Sequence, residues 1–106
     1  MPYRLRFSPK ADEQYQALED GGAATETKLK KVNRALARLE RDPRYNGLNS
    51  HPYENFPGAP KAKVWDSYVE NNTPSAWRIY WMYGPNETED GKDTAVITIL
   101  EIGPHL

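Results

Sequence analysis

Arg78 and His105 are the two side chains of this sequence whose types best suit a chemical reaction. Arg78 lies in the segment WRIYW, and His105 follows the segment ILEIGP. An arginine guanidinium can hold a phosphate through two parallel hydrogen bonds, and a histidine exchanges a proton near neutral pH. Phosphodiester cleavage needs both properties, because charge develops on the phosphate oxygens while protons move at the attacking and leaving oxygens. This pair therefore predicts a phosphodiester-cleaving site with Arg78 and His105 as catalytic residues.

A second set of residues lies close to the same predicted site and suits contact with an anionic strand. Lys61 and Lys63 directly precede the second predicted strand, and Tyr80 follows Arg78 at the next position on the same strand face. His51, the other histidine of the chain, lies in the preceding loop. We predict that all four contact the strand that carries the scissile phosphate. Neither histidine has a carboxylate at metal-ligand spacing and the chain has no cysteine, so we predict no metal site and no cofactor.

Each of these residues also has a structural interpretation that the sequence leaves open. Arg78 can pack over Tyr80 or pair with an acid such as Asp66 instead of binding phosphate. His51 can be an ordinary loop residue, and His105 can belong to a frayed tail. The three tryptophans of the chain fit a core better than a base-stacking surface, since they lie in predicted strands.

The elements that must position these residues have the order β-α-α-β-β-β. Alternation in YRLRF predicts a first strand that ends before Ser8-Pro9, a typical helix start. Apolar spacings of three and four residues predict two helices joined by a glycine turn. We therefore predict an α+β fold in which a helical hairpin packs on one face of a largely antiparallel sheet. The predicted helices span 9–20 and 25–41, and the later strands span 64–70, 76–84 and 95–102.

The connecting segments and the third predicted strand indicate where a ligand groove would form. Residues 42–63 are rich in Pro and Gly and are predicted to form no regular element, which is typical of a functional loop. Residues 71–75 are predicted to form a turn, and 85–94 a polar hairpin. On the third strand Trp77, Ile79, Trp81 and Tyr83 would face the helices. Arg78 and Tyr80 would then lie on the face that two helices cannot cover.

Composition limits the classes of protein to consider. The 106 residues suit one domain over 1–106, and the absence of cysteine fits a reducing cytoplasm. No apolar run is long enough to span a bilayer, and the first residues do not resemble a signal peptide. The net charge is −1, but Lys and Arg concentrate between residues 28 and 44. That segment is either a solvated helix face or a surface for a polyanion or an acidic partner.

The segments LARLERDPRYNGLNSH, WRIYW and ILEIGPH, in this order of elements, resemble the RelE/ParE superfamily of toxins from type II toxin–antitoxin systems. The segment VWDSYVENNTPSAWRIYWMYGP is similar to a RelE-like subgroup. The resemblance covers nearly the whole chain. It implies a microbial RNase-like fold, a cognate antitoxin as partner and, in many relatives, metal-independent cleavage of mRNA in the ribosome by means of the 2′-hydroxyl.

The resemblance also implies individual roles. It assigns Arg78 to the scissile phosphate, His105 to the general acid, and Lys61 and Lys63 to RNA contact. No residue matches the family's catalytic base, although His51 and Glu54 lie in the corresponding loop. Two alternatives stay open: a non-catalytic, ParE-like inhibitor of DNA gyrase or another protein, and an inactive relative. The second is favoured by Asp66, which stands in VWDSYV where cleaving relatives carry a cation.

Overall fold

The computed structural model describes residues 2–71 and 75–106 and shows two helices packed on one face of a five-stranded sheet. The sheet has the order β1-β7-β4-β3-β2, and only the β1–β7 pair is parallel. The predicted α+β fold is confirmed. No helix among the described residues is long and apolar enough to cross a membrane. The elements are β1 Arg4–Phe7, α1 Pro9–Asp20, α2 Glu26–Arg41, β2 His51–Tyr53, β3 Val64–Tyr68, β4 Trp77–Tyr83, β5 Glu87–Glu89, β6 Lys92–Thr94 and β7 Val96–Pro104.

Ser8 fixes the junction between the first strand and the first helix. Its hydroxyl oxygen accepts a hydrogen bond from the Ala11 amide at 3.1 Å, and Pro9 occupies the first helical turn. The same hydroxyl donates to the Leu100 carbonyl at 2.9 Å. One side chain therefore caps α1 and ties its start to β7, the strand that leads to His105.

The core lies between the helices and one face of the sheet. Val32, Leu36 and Leu39 on α2 are buried against Ile79 and Trp81 on β4. The apolar stripe predicted for the second helix is thus confirmed, and so is the inward face predicted for the third strand, except at its last residue. Tyr83 is 46% exposed because it lies at the end of β4, beyond the cover of the helices.

The segment 42–63 departs from the prediction, because it contains regular structure. Residues Asn46–Leu48 form a 3-10 turn, and β2 pairs antiparallel with β3 at the edge of the sheet. Pro52 is compatible with this position, since an edge strand has neighbours on one side only and can spare a backbone N–H. Part of the turn predicted at 71–75 lies outside the described residues.

The face of the sheet away from the helices is also partly covered. Tyr80 and Val64 form a second apolar cluster with Phe56 of the loop between β2 and β3, and Tyr53 and Leu100 pack at its border. The helices leave this face uncovered, as predicted, and the loop between β2 and β3 folds back over this part of it. Only the part of this face that carries Arg78 and the histidines stays accessible.

The β5–β6 hairpin, predicted as polar, is tied to β1 by an ionic cluster. Glu87 accepts hydrogen bonds from Arg6 at 2.7 Å and from Arg4 at 3.0 Å, and Glu89 accepts one from Arg4 at 2.5 Å. The hydrogen bonds from Arg6, followed by those from Arg4, lower the pKa of Glu87 to about 2.

This cluster predicts a loss of stability in acid. Because the pKa of Glu87 is lower in the folded chain, its contribution is present above about pH 4.5 and disappears as the pH falls toward 2. Chemical unfolding of wild type and Glu87→Gln between pH 2 and 7 measures it. The free energies of unfolding of the two proteins should be equal at the acid end and differ near neutrality, and salt should reduce the difference. A difference that does not change with pH would contradict this assignment.

Candidate functional site

Strand register places five polar or aromatic side chains on the sheet face that lies opposite the helices. His51 on β2 pairs with Asp66 on β3, and Asp66 pairs with Tyr80 on β4. In the next row Tyr68 on β3 pairs with Arg78 on β4. Because partners across a ladder point to the same face, Asp66 has His51 on one side and Tyr80 on the other, with Arg78 diagonal to it.

Asp66 is the centre of the candidate site. Its side chain is fully buried, and its Oδ2 lies 3.2 Å from Arg78 Nη1, 3.3 Å from His51 Nε2 and 3.7 Å from His105 Nε2. Its Oδ1 also accepts a hydrogen bond from Arg78 Nη1 at 3.3 Å. A single carboxylate thus draws together one permanent cation and both histidines of the chain. We refer to these four residues as the Asp66 cluster.

Arg78 is held from two directions. Asp66 binds Nη1, and the guanidinium carbon lies 3.8 Å from the centre of the Tyr68 ring. Its side chain is only 13% exposed, and its buried Nε has no hydrogen-bond partner among the described residues. The pairing with Asp66 that the sequence left open as an alternative is therefore present. An orphaned buried donor of this kind is unusual in proteins.

His51 is oriented by contacts at both ring nitrogens. Nδ1 lies 2.8 Å from the Asn49 carbonyl, which can only accept, so Nδ1 carries the hydrogen. Nε2 faces the Asp66 carboxylate, 3.3 Å from Oδ2. The ring is 43% exposed, so a ligand can reach it.

His105 is anchored rather than frayed. β7 extends through Pro104, two residues further than predicted. The His105 amide donates to the Ala76 carbonyl at 3.0 Å, and the Leu106 amide donates to the Tyr80 hydroxyl at 2.8 Å. These two bonds on either side of the residue hold the imidazole over Asp66, with 47% of the side chain exposed.

Tyr80 is not positioned for the predicted contact with RNA, which requires an exposed side chain. It is fully buried in the second apolar cluster, because the loop after β2 packs on it. Burial raises the pKa of Tyr80 to about 12, so the hydroxyl stays neutral. It accepts the Leu106 amide and thereby positions the tail that carries His105.

Replacement of Tyr80 by phenylalanine should loosen this tail. The Leu106 amide loses its acceptor, which is worth about 1 kcal/mol, so its hydrogen exchange should accelerate by about fivefold. Nuclear magnetic resonance of the amide measures the rate. Tyr15→Phe is the matched control, because it removes a hydroxyl hydrogen bond to Asn33 that is remote from the tail. Equal Leu106 exchange in wild type and Tyr80→Phe would show that Tyr80 does not hold the tail.

Lys61 and Lys63 line a shallow cavity of about 400 Å³ beside the Asp66 cluster. Both side chains are exposed. Tyr53 lines the same cavity, and its ring lies edge-on to His105 with centroids 6.5 Å apart. Glu54 also lines this cavity. The structure therefore places the lysines on the approach to His105, separated from it by Tyr53.

The basic stretch of α2 is less available than its composition indicates. Lys28 and Lys31 bind Glu70 at 2.7 and 3.1 Å, and Lys28 also lies 4.7 Å from the Trp77 ring centre. The hydrogen bond from Lys28 is the main reason that the pKa of Glu70 is lowered. Part of this helix face is consequently committed to the fold.

Asp66 is the residue whose role the sequence did not reveal. From the sequence alone, Asp66 is interpreted only as a charge unfavourable for RNA binding or as a partner for Arg78. Alternation along VWDSY does place it on the face opposite Trp65, and this signal was available. Its approach to both histidines depends on the pairing of β2 and on the course of the tail. Within residues 2–71 and 75–106, no group of three or more histidines or acids has the geometry of a metal site.

Comparison with known proteins gives a relation at the level of structure. A scan against models of protein families finds no match, and neither does a search of curated protein sequences. The fold is similar to the structure of a YoeB dimer from Staphylococcus aureus, at 16% sequence identity and a TM-score of 0.59, over 100% of both chains. The chain therefore has the RelE/YoeB-type fold that the sequence resemblance predicts.

Proposed function

We propose that this chain is the toxin of a type II toxin–antitoxin system and that it cleaves mRNA with the Asp66 cluster. The observation that carries the proposal is the convergence of Arg78, His51 and His105 on one buried carboxylate, at an accessible surface. The RelE/YoeB-type fold supports it, because the sequence resemblance to that superfamily assigns Arg78 to the scissile phosphate and His105 to the general acid.

The charges of the cluster suit a phosphate. Asp66 supplies one negative charge, and Arg78 already balances it. Each histidine that is protonated adds a positive charge next to the others, so the cluster becomes cationic and attracts an anion. The accessible imidazoles would make the first contacts. Lys61 and Lys63 would extend the positive surface along the RNA strand.

The two histidines can divide the proton transfers between them. His51 Nε2, in its neutral form, takes the proton of a ribose 2′-hydroxyl, and Asp66 stabilises the resulting imidazolium. The 2′-oxygen then forms a bond to phosphorus while the bond from phosphorus to the 5′-oxygen breaks. His105 donates a proton to that leaving oxygen. The products are a 2′,3′-cyclic phosphate and a 5′-hydroxyl, and proton exchange with water restores both rings.

The proposed partners follow from this site. A cognate antitoxin that covers His51 and His105 would silence the toxin without any change in the fold. The substrate would be mRNA in the cytoplasm, with the ribosome as the surface on which it is presented. With a net charge of −1, the chain itself supplies little general attraction for RNA. Presentation by the ribosome would compensate for this.

Induced expression in a bacterium, with mapping of mRNA 5′ ends, tests the proposal. Wild type should arrest growth and generate new 5′ ends, and Arg78→Ala and His105→Ala should lose both effects. Soluble accumulation and circular dichroism of each variant confirm that it folds. Equal toxicity and unchanged cleavage in the two variants would contradict the proposed function.

A second candidate is a non-catalytic inhibitor of DNA gyrase or another protein. The observation that favours it is the engagement of Arg78 by Asp66, which reduces its freedom to bind phosphate. Growth arrest with defects in supercoiling and intact mRNA would identify this function. Absence of any toxicity would indicate an inactive relative.

A further inference from the structure

A second cavity lies on the helix side of the sheet, behind the β2–β3 edge, and has a volume of about 550 Å³. Its walls combine three aromatic rings of the strands with polar and charged residues of the segment that follows α2. A cavity of this volume can hold a small planar ligand. The lining residues are Pro43, Arg44, Tyr45, Asn46, Asn49, Ser50, Trp65, Trp81 and Tyr83.

The aromatic rings of this cavity form one continuous surface. The Trp65 and Trp81 rings are stacked with centroids 5.9 Å apart, and the Tyr83 ring stands edge-on to Trp81 at 4.9 Å. Tyr45 and Tyr83 are 44% and 46% exposed. Among the described residues, Leu106 alone joins them as an exposed large hydrophobic side chain. Parts of both tyrosine side chains are thus accessible at the mouth of the cavity, and the Arg38 guanidinium lies 4.6 Å from the centre of the Tyr45 ring.

Trp65 also contributes an unused hydrogen-bond donor. Its indole Nε1 is buried and has no partner among the described residues. The neighbouring Trp81 differs, since its Nε1 donates to Ser67 at 2.7 Å. A buried N–H without an acceptor costs free energy, so an acceptor that reached Nε1 after a shift of the surrounding side chains would stabilise the bound state. Arg44, Asn46 and Asn49 add exposed donors and acceptors around it.

The cavity is connected to the Asp66 cluster through two residues. Asn49 lines the cavity, and its carbonyl accepts the hydrogen bond from His51 that fixes the histidine tautomer. Trp65 directly precedes Asp66 on β3 and points to the opposite face. A polynucleotide strand that passes over the sheet edge at β2 would therefore meet the cavity on one face of the sheet and the Asp66 cluster on the other.

We infer that this cavity is a nucleobase subsite for the single-stranded RNA that the Asp66 cluster cleaves. A nucleobase matches it because it is planar, stacks on aromatic rings and presents acceptors to an indole N–H, an arginine and amides. Arg44 suits the attached phosphate. This inference rests on the proposed function and adds the part of the substrate that is recognised. In this arrangement the Asp66 cluster contacts the ribose, and the cavity contacts the base.

Titration of the protein with an uncleavable 2′-O-methyl RNA hexanucleotide that contains all four bases tests the subsite. The indole N–H resonance of Trp65 should shift, and that of Trp77, which packs at the other end of β4, should stay unchanged. Trp65→Phe keeps a ring and removes the donor, so affinity should fall by about three- to tenfold. Trp77→Phe is the matched control and should bind like wild type. Arg44→Gln, at an exposed position, should also weaken binding and does not depend on core packing.

Three results would overturn the inference: no binding, an unchanged Trp65 resonance, or wild-type affinity in both Trp65→Phe and Arg44→Gln. Titration with adenosine 5′-monophosphate separates an RNA subsite from a site for free nucleotides. The hexanucleotide should bind more tightly, and equal affinity would contradict the RNA assignment. A cleavage assay keeps the two proposals distinct. Binding at Trp65 without cleavage would refute only the proposed function, and cleavage without binding at Trp65 would refute only the subsite.

Discussion

Replacement of His105 by alanine is expected to lower the rate of RNA cleavage by about 10²- to 10⁴-fold, because the leaving 5′-oxygen loses its proton donor. His51→Ala should have an effect of the same order through loss of the base. Single-turnover cleavage of a short RNA measures these rates.

Leu106→Ala is the matched control for the tail. It changes an exposed side chain next to His105 and retains the backbone amide that binds Tyr80. Its rate should remain close to that of wild type. The double variant His51→Ala/His105→Ala should be only slightly slower than the worse single variant, since the two transfers belong to one reaction. Full activity of His105→Ala in a folded protein would rule out its assigned role.

Asp66→Ala should produce the second large effect, on stability as well as on cleavage. The substitution leaves the Arg78 guanidinium, in a side chain only 13% exposed, without its anion, and such a loss typically costs about 3–5 kcal/mol. Both histidines also lose the carboxylate that they contact. Denaturant unfolding measures the stability, and the free energy of unfolding should fall by that amount.

Two comparisons distinguish the loss of the buried Asp66–Arg78 charge pair from the simple loss of side-chain atoms. Asp66→Ala/Arg78→Met removes both charges and should be more stable than Asp66→Ala alone. Glu101→Ala removes another buried carboxylate, but its partner Lys10 has a side chain that is 65% exposed and can return to water. The Glu101→Ala variant should therefore be less destabilised than the Asp66→Ala variant. A double variant as unstable as Asp66→Ala would mean that the charge of Arg78 is not the source of the loss.

The regular elements were predictable because their signals are local. The spacing of apolar residues in α2, the Ser8-Pro9 helix start and the alternation of β4 each lie within a few neighbouring residues. β2 could not be predicted in the same way. It has three residues, contains Pro52 and is a strand only because β3 is beside it. Such pairing depends on contacts that are distant along the chain.

The candidate site was predictable in its residue types but not in its arrangement. Arg78 and His105 were identified from chemistry and from the family resemblance, and the structure brings both to Asp66. The contribution of His51 depends on β2, and the anchoring of His105 depends on Tyr80. Tyr80 was assigned to the correct face, but the loop that buries it carries no periodic signal. The arrangement of the candidate site therefore depends on contacts between residues far apart along the chain, which the sequence pattern does not reveal.

Cleavage of one defined phosphodiester tests the central claim most directly. A short RNA with a single cleavable linkage is incubated with the purified protein, with its ribosomal complex as a second arm, beside the same RNA with a 2′-deoxyribose at that linkage. We predict that the all-ribose substrate yields a 2′,3′-cyclic phosphate and a 5′-hydroxyl, that the 2′-deoxy substrate stays intact, and that His105→Ala suppresses the products. Cleavage of the 2′-deoxy substrate at the same rate, or no cleavage in either arm, would contradict the account.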